Sequence, residues 1–137
     1  MKKILIAFLL MLTMTAQADI ATPHSDQRSE NVMTKTQDGT YIVNTTTLAD
    51  DVEGYAGATP LEVHIKKNKI VKVVVLKNMD GPKYNAKVKK EMLTKYEGMD
   101  VKKGKVQEVD AVTGATFTSK AMQENIRRAV EYYKKHK

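Results

Sequence analysis

The sequence contains no cysteine, and this absence excludes several kinds of site. Without thiols the chain can form no disulfide, no thiolate metal centre, no cysteine-ligated iron–sulfur cluster and no c-type haem attachment. It also offers no cysteine to which a lipid anchor could be attached. We therefore expect a protein that folds without covalent cross-links.

Histidine is scarce as well. His24, His64 and His136 lie far apart in the sequence, and none has a partner at metal-ligand spacing. We therefore expect no metal site, which argues against a zinc hydrolase. His64 falls at a polar position of a predicted strand, so we expect it to be exposed there.

Aromatic residues are few, with no tryptophan and only two phenylalanines, while the formal net charge is +7. Proteins that bind nucleic acid usually interleave basic residues with stacking aromatics, and no such pattern is present. We expect no nucleic-acid partner. The lysines are interpreted as a solvated surface that keeps a small protein soluble.

The long apolar run of this chain lies near its N-terminus. Met1-Lys2-Lys3 precedes the run from Ile4 to Leu12, and Ala16-Gln17-Ala18 has the form of an A-x-A cleavage site. The run is shorter than the roughly 20 apolar residues that span a bilayer. We interpret residues 1–18 as a signal peptide and expect an exported, periplasmic or otherwise extracytoplasmic protein, soluble after cleavage.

The rest of the chain is long enough for one domain. Residues 19–38 are polar with few large apolar side chains, which predicts a flexible leader. Residues 39–137 are predicted to form a single domain, and we expect a monomer.

Strand signals dominate the first half of this domain. Residues 40–47 are rich in β-branched side chains, and Leu61, Val63 and Ile65 alternate with polar residues at the period of a half-buried strand. The apolar run 70–76 follows after a turn at 67–69. These two runs predict an antiparallel hairpin.

Helical spacing appears in the second half. Val88, Met92 and Tyr96 predict a helix that ends near Gly98, with Met92 and Tyr96 in the core. A final amphipathic helix is predicted from about residue 120 to 134, capped by Thr118 or Ser119. The order of elements favours an α+β domain with a small antiparallel sheet and two main helices.

The segment 109–119 is the one that suggests chemistry. An extended piece is followed by a turn at Gly114 and by hydroxyl residues that run into the start of a helix. Backbone amides at a helix start suit a phosphate. On spacing alone two interpretations stay open: a phosphoester site, or a turn and a helix cap that need no ligand.

Asp110-x-x-Thr113-Gly114-Ala115-Thr116 resembles the flavinylation motif of the FMN-binding domain family. That domain occurs in the C subunit of sodium-pumping NADH:quinone reductase and in the G subunit of the Rnf complex. The order of the segments 38–41, 54–57 and 61–76 and of the final helix is also similar. The resemblance covers roughly residues 39–134 and implies a free-standing exported member.

The resemblance implies a covalent cofactor. An FAD:protein FMN transferase would attach FMN through its phosphate to the hydroxyl of Thr116, releasing AMP, and would supply the base that the motif lacks. The resemblance also implies further cofactor-binding residues in the motif, in the hydroxyl-rich segment after it and beside the flavin ring. These residues are Asp110, Thr113, Gly114, Ala115, Phe117, Thr118, Ser119, Tyr55, Gly57 and Tyr84. Phe117 has an equally plausible place as a core aromatic, and a core position is favoured for the two tyrosines.

The tripeptide Gly-Ala-Thr occurs twice, and the copy outside the motif serves as a control. In Gly57-Ala58-Thr59, Ala56 stands where the motif has Thr113, and Pro60 leads into a strand. The longer motif in its context therefore favours Thr116 over Thr59 as the acceptor.

One departure concerns the loop Asp80-Gly81-Pro82, where the family commonly has an acidic residue, Thr and Pro-Gly. The resemblance implies an electron carrier that serves a membrane or other extracytoplasmic redox partner, more than an enzyme with its own substrate. Two alternatives remain open. One is a non-redox exported module that binds an anionic ligand or an envelope component, and the other is a flavin-dependent reductase of a small substrate.

Overall fold

The computed structural model describes residues 32–137. The predicted signal peptide at 1–18 and residues 19–31 of the predicted leader lie outside the described residues. None of the helices among residues 32–137 is both long enough and apolar enough to cross a membrane.

Four strands form one antiparallel sheet in sequence order, and their bounds are β1 (Met33–Lys35), β2 (Tyr41–Asn44), β3 (Leu61–Lys66) and β4 (Lys69–Val75). The alternation predicted for β3 is confirmed, since its apolar residues are buried and its polar residues are half-buried. One face of the sheet therefore packs on the core.

The predicted hairpin is formed by β3 and β4. Its turn residues Lys67 and Asn68 have φ angles of 52° and 63°. Two consecutive positive φ values define the two-residue turn whose twist matches the flanking strands. The hydroxyl of Tyr133 donates a hydrogen bond to Asn68 Oδ1 at 2.7 Å, which ties the turn to the last helix.

Strand β1 corrects the predicted leader. It lies inside residues 19–38 and pairs with β2 in the register Met33↔Val43 and Lys35↔Tyr41. Ordered structure therefore begins before Gly39. Strand β1 is hard to recognise in the sequence because it is a three-residue edge strand whose Thr34 and Lys35 side chains are exposed.

The helices are α1 (Pro82–Glu91) and α2 (Thr116–His136), with a 3₁₀ turn (Leu93–Tyr96) after α1. Pro82 suits the first turn of α1, where its missing N–H has no helical acceptor. The predicted first helix is split at Met92, where α1 ends and the 3₁₀ turn begins. The predicted last helix begins earlier than expected, at Thr116, and its N-cap is Ala115.

The core lies between the sheet and the helices, so the predicted α+β class is confirmed. Met92 and Tyr96 are buried in it as predicted, and burial raises the pKa of the Tyr96 hydroxyl to about 12. His64 differs from prediction, because its side chain is only 14% exposed on the outer face of the sheet, beside Glu62. Helix α2 contributes the largest share of buried side chains: Thr118, Ser119, Ala121, Met122, Asn125, Ile126, Ala129, Val130 and Tyr133.

Candidate functional site

A tight turn leads into helix α2. The N–H of Ala115 donates a hydrogen bond to the carbonyl oxygen of Val112 at 3.0 Å, and Gly114 between them has φ +85°. A turn with positive φ at its third residue favours glycine there. The predicted glycine turn is thus present, and it places Thr116 at the first position of α2.

The three hydroxyl residues at the start of α2 have different surroundings. Thr118 is 1% exposed and donates a hydrogen bond to Asp80 Oδ2 at 2.6 Å. Ser119 is fully buried, and its Oγ accepts a hydrogen bond from the N–H of Val112 at 3.0 Å. Thr116 is exposed. Among the three, Thr116 is the residue that lies open to a reacting molecule.

These contacts overturn the predicted helix cap. Neither Thr118 nor Ser119 caps α2, because both lie inside the helix and bond elsewhere. The N-cap is Ala115, which has no side-chain oxygen, and the first turn carries no acidic residue. The first N–H groups of the helix therefore have no side-chain acceptor at the cap, and their partial positive charge remains available to an anion.

A lysine adds to this positive charge. The Nζ of Lys87 lies 3.4 Å from the point that a Cβ atom on Gly114 would occupy. Lys87 belongs to α1 and was not predicted as a site residue, since nothing in the motif's sequence points to it. Helix start and lysine together favour a phosphate at this turn.

A shallow pocket of about 250 Å³ opens at the same place. The structure brings seven of the predicted site residues together around it: Tyr55, Tyr84, Gly114, Ala115, Thr116, Phe117 and Thr118. The rings of Tyr55 and Tyr84 lie with their centroids 5.5 Å apart and their planes tilted by 33°. Tyr55 is 66% exposed and Phe117 is 68% exposed, so neither ring belongs to the core.

The other predicted residues lie outside the pocket lining. Asp110 and Thr113 are exposed on the segment that leads to the turn. Ser119 is buried beneath it, and Gly57 lies in a loop where its carbonyl oxygen accepts the N–H of Gly54 at 2.7 Å.

Asp80 is the main site residue that sequence reasoning missed. It is 3% exposed, and its carboxylate accepts hydrogen bonds from the backbone N–H of Tyr55 at 2.9 Å and of Ala56 at 2.6 Å, besides that from Thr118. Its one signal in the sequence was that the loop Asp80-Gly81-Pro82 contains an acidic residue. Its partners lie far away in the chain, so only the fold reveals them.

The other Gly-Ala-Thr copy, Gly57-Ala58-Thr59, has a different environment. Thr59 is fully buried, and its hydroxyl has no hydrogen-bond partner among the described residues. A hydroxyl at such a depth is closed to an external enzyme. The structure therefore separates the two copies of the tripeptide.

A larger groove of about 730 Å³ lies between residues 103–109 and helix α2. Long charged side chains form most of its lining, and it contains none of the residues 110–116. We assign the site to the smaller pocket because the turn, the helix start and the exposed hydroxyl meet there. Within residues 32–137, no group of three or more acidic, histidine or cysteine side chains could hold a metal ion.

A family profile described as FMN-binding domain matches residues 25–131, which is more than half of the chain. No curated protein and no solved structure matches the sequence.

Proposed function

This chain belongs to the FMN-binding domain family, and from this premise we propose that it is an exported electron carrier with FMN attached covalently to Thr116. Family membership makes it a flavin-binding protein. The covalent bond, the export and the electron-transfer role are the proposal.

The observation that carries the proposal is the separation of the hydroxyl groups. Thr116 is exposed at an uncapped helix start, whereas Thr118, Ser119 and Thr59 are buried. The acceptor of a phosphoester must be reachable by an enzyme. It must also lie where the new negative charge is stabilised, as it is by the first amides of α2 and by Lys87.

In the attachment step, the hydroxyl of Thr116 is the reacting group that this chain supplies. Thr116 Oγ forms a bond to the FMN-side phosphorus of FAD while the bond from that phosphorus to the pyrophosphate bridging oxygen breaks, so that AMP leaves. The hydroxyl proton passes to a base of the FAD:protein FMN transferase. This protein is thus the substrate of that reaction.

The pocket suits a flavin that remains partly uncovered. Bound FMN supplies the one- and two-electron chemistry, and the protein supplies position and electrostatics. Pockets that enclose a small molecule usually measure about 300–1,000 Å³, and this pocket measures about 250 Å³. A pocket of this size would cover only part of the ring, with Tyr55 and Phe117 in its lining, and an uncovered edge would favour exchange of electrons with another protein.

Export and covalent attachment support each other in this proposal. Residues 1–18 have the pattern of a secretory signal. A dissociated flavin is lost by diffusion outside the cytoplasm, so a phosphoester bond keeps the carrier loaded. The partner is then a membrane or extracytoplasmic redox protein.

The test is expression of the full chain with the transferase in an exporting host. We expect flavin fluorescence that stays with the denatured polypeptide and a matching mass increase. Thr116→Ala abolishes both signals, whereas Thr59→Val retains them because Thr59 is buried. Unlabelled wild type, or label lost from Thr59→Val and kept in Thr116→Ala, contradicts the proposal.

A further inference from the structure

Asp80 joins three separate segments at the edge of the pocket. We propose that it is a positioning residue that holds the Tyr55 side of the pocket against helix α2 and thereby sets how far the flavin ring is covered. The inference rests on the proposed function for the presence of a flavin, and it concerns a residue outside the attachment motif.

The hydrogen bonds of Asp80 use both carboxylate oxygens. Oδ2 accepts from the N–H of Tyr55 at 2.9 Å and from the hydroxyl of Thr118 at 2.6 Å, while Oδ1 accepts from the N–H of Ala56 at 2.6 Å. Hydrogen bonds to a charged acceptor are stronger than neutral ones. One side chain therefore links the Tyr55 loop, its own loop and the first turn of α2.

The ring of Tyr55 depends on this link. Because the residue is 66% exposed, burial does little to fix its position. Its backbone N–H is bonded to Asp80, and its ring lies beside that of Tyr84, with both residues lining the pocket. The wall that they form is thus anchored through the backbone of Tyr55.

Asp80 is itself held firmly. Its N–H donates a hydrogen bond to Asn78 Oδ1 at 2.9 Å, and Asn85 of α1 donates to the same oxygen at 3.0 Å. On the other side, a Cβ atom on Gly54 would lie 2.2 Å from Asp80 Oδ2. The carboxylate lies between α2 and the Tyr55 loop, and its backbone is held through Asn78, as a positioning group should be.

Two variants test this role. Asp80→Asn keeps the shape but replaces one acceptor oxygen by an NH₂ group, which cannot accept a hydrogen bond from an N–H. Thr118→Val removes only the link to α2 and serves if Asp80→Asn does not fold. The matched control is Thr45→Val, which breaks another buried polar link between a loop and α2, from Thr45 to Asn125.

The experiment uses the flavin-loaded full chain and measures three quantities. These are the covalent flavin content, the slope of flavin fluorescence quenching by iodide, and Tm. We expect all three variants to carry flavin and to melt at a lower temperature than wild type. Asp80→Asn and Thr118→Val give a steeper iodide slope because the ring is less covered, whereas Thr45→Val gives the wild-type slope.

Other results overturn the inference in distinguishable ways. Wild-type slopes in Asp80→Asn and Thr118→Val, at a lowered Tm, leave Asp80 a purely structural residue. If the iodide slope of Thr45→Val is as steep as those of Asp80→Asn and Thr118→Val, Asp80 is again a purely structural residue. If wild type binds FMN without a covalent bond, the proposed attachment fails, and the same slopes still decide on Asp80. If wild type takes up no flavin, both proposals fail.

Discussion

Lys87 Nζ lies 3.4 Å from the position of a Cβ atom on Gly114, so a cation of helix α1 stands at the turn of the attachment motif. Glycine leaves this space open, and its φ of +85° shapes the turn at the same time. The lysine and the amides at the start of α2 approach the same place from two elements. A phosphate bonded to Thr116 would be stabilised by both.

We expect Lys87→Met to slow the transfer of FMN to Thr116. A hydrogen bond to a charged group contributes about 1.5–3 kcal/mol, which corresponds to roughly a tenfold or greater loss in rate. The measurement is the initial rate of flavin labelling by purified transferase at low salt.

The matched control for Lys87 is Lys89→Met, an exposed lysine of the same helix. Lys87→Arg should retain most of the rate, and added salt should narrow the gap between wild type and Lys87→Met. Equal labelling rates for Lys87→Met and Lys89→Met would assign no role to the charge of Lys87.

The sequence predicted what depends on local order and missed what depends on distant contacts. The alternation of Leu61, Val63 and Ile65 is enough for strand β3, because one face of a sheet must be buried. The motif is read from consecutive residues, and so is its glycine turn. Asp80 and Lys87 reach the site only through the packing of α1 and the preceding loop, which no spacing rule describes.

The sequence also did not reveal which of the hydroxyl groups are buried. Thr116, Thr118 and Ser119 look alike as neighbours, and either of the last two satisfies the rule for a helix cap. Helix α2 begins three residues before Ser119, so both candidates fall within its first turn, on the side that packs. Helix ends are set by tertiary contacts of this kind, which explains why the prediction of the cap was wrong.

Gly54→Ala should destabilise the protein by about 1–3 kcal/mol, the usual cost of an added carbon in a packed site. Its Cβ atom would lie 2.2 Å from Asp80 Oδ2 and 2.9 Å from Thr59 Cγ2. Both neighbours are buried, so neither can move aside freely. Urea unfolding of wild type and variant gives the free energy of unfolding directly.

A double-mutant cycle identifies the cause of that loss. In the Asp80→Ala background the colliding oxygen is absent, so Gly54→Ala should cost less there than in wild type. The difference is the coupling between the two positions. The same cost in both backgrounds would show that the collision with Asp80 does not account for the glycine.

Glu124 lies at the centre of an ion-pair network on helix α2. It accepts hydrogen bonds from Arg127 and from Arg128, and Arg128 also pairs with Asp51 at 2.6 Å. The Arg127 guanidinium holds the pKa of Glu124 at about 2, below the ordinary value of 4.5. The network joins the loop at residues 48–51 to the helix.

The lowered pKa fixes the sign of a pH effect. A carboxyl whose pKa is lower in the folded state stabilises the fold above its unfolded value of 4.5, and that stability is lost as the pH falls towards 2. Because the pairs are largely solvated, we expect the contribution at pH 7 to be about 0.5–1 kcal/mol.

Glu124→Gln should therefore be less stable than wild type at pH 7 and should lose less stability on acidification. Urea unfolding at several values between pH 7 and pH 2 measures both, and the two curves should approach each other at the acid end.

Glu108→Gln is the control, because Glu108 forms no ion pair within residues 32–137. Parallel curves for wild type and Glu124→Gln would mean that the arginines do not stabilise this carboxylate. A remaining acid slope in the variant is expected from Asp51, since its hydrogen bond with Arg128 lowers the pKa of that carboxyl too.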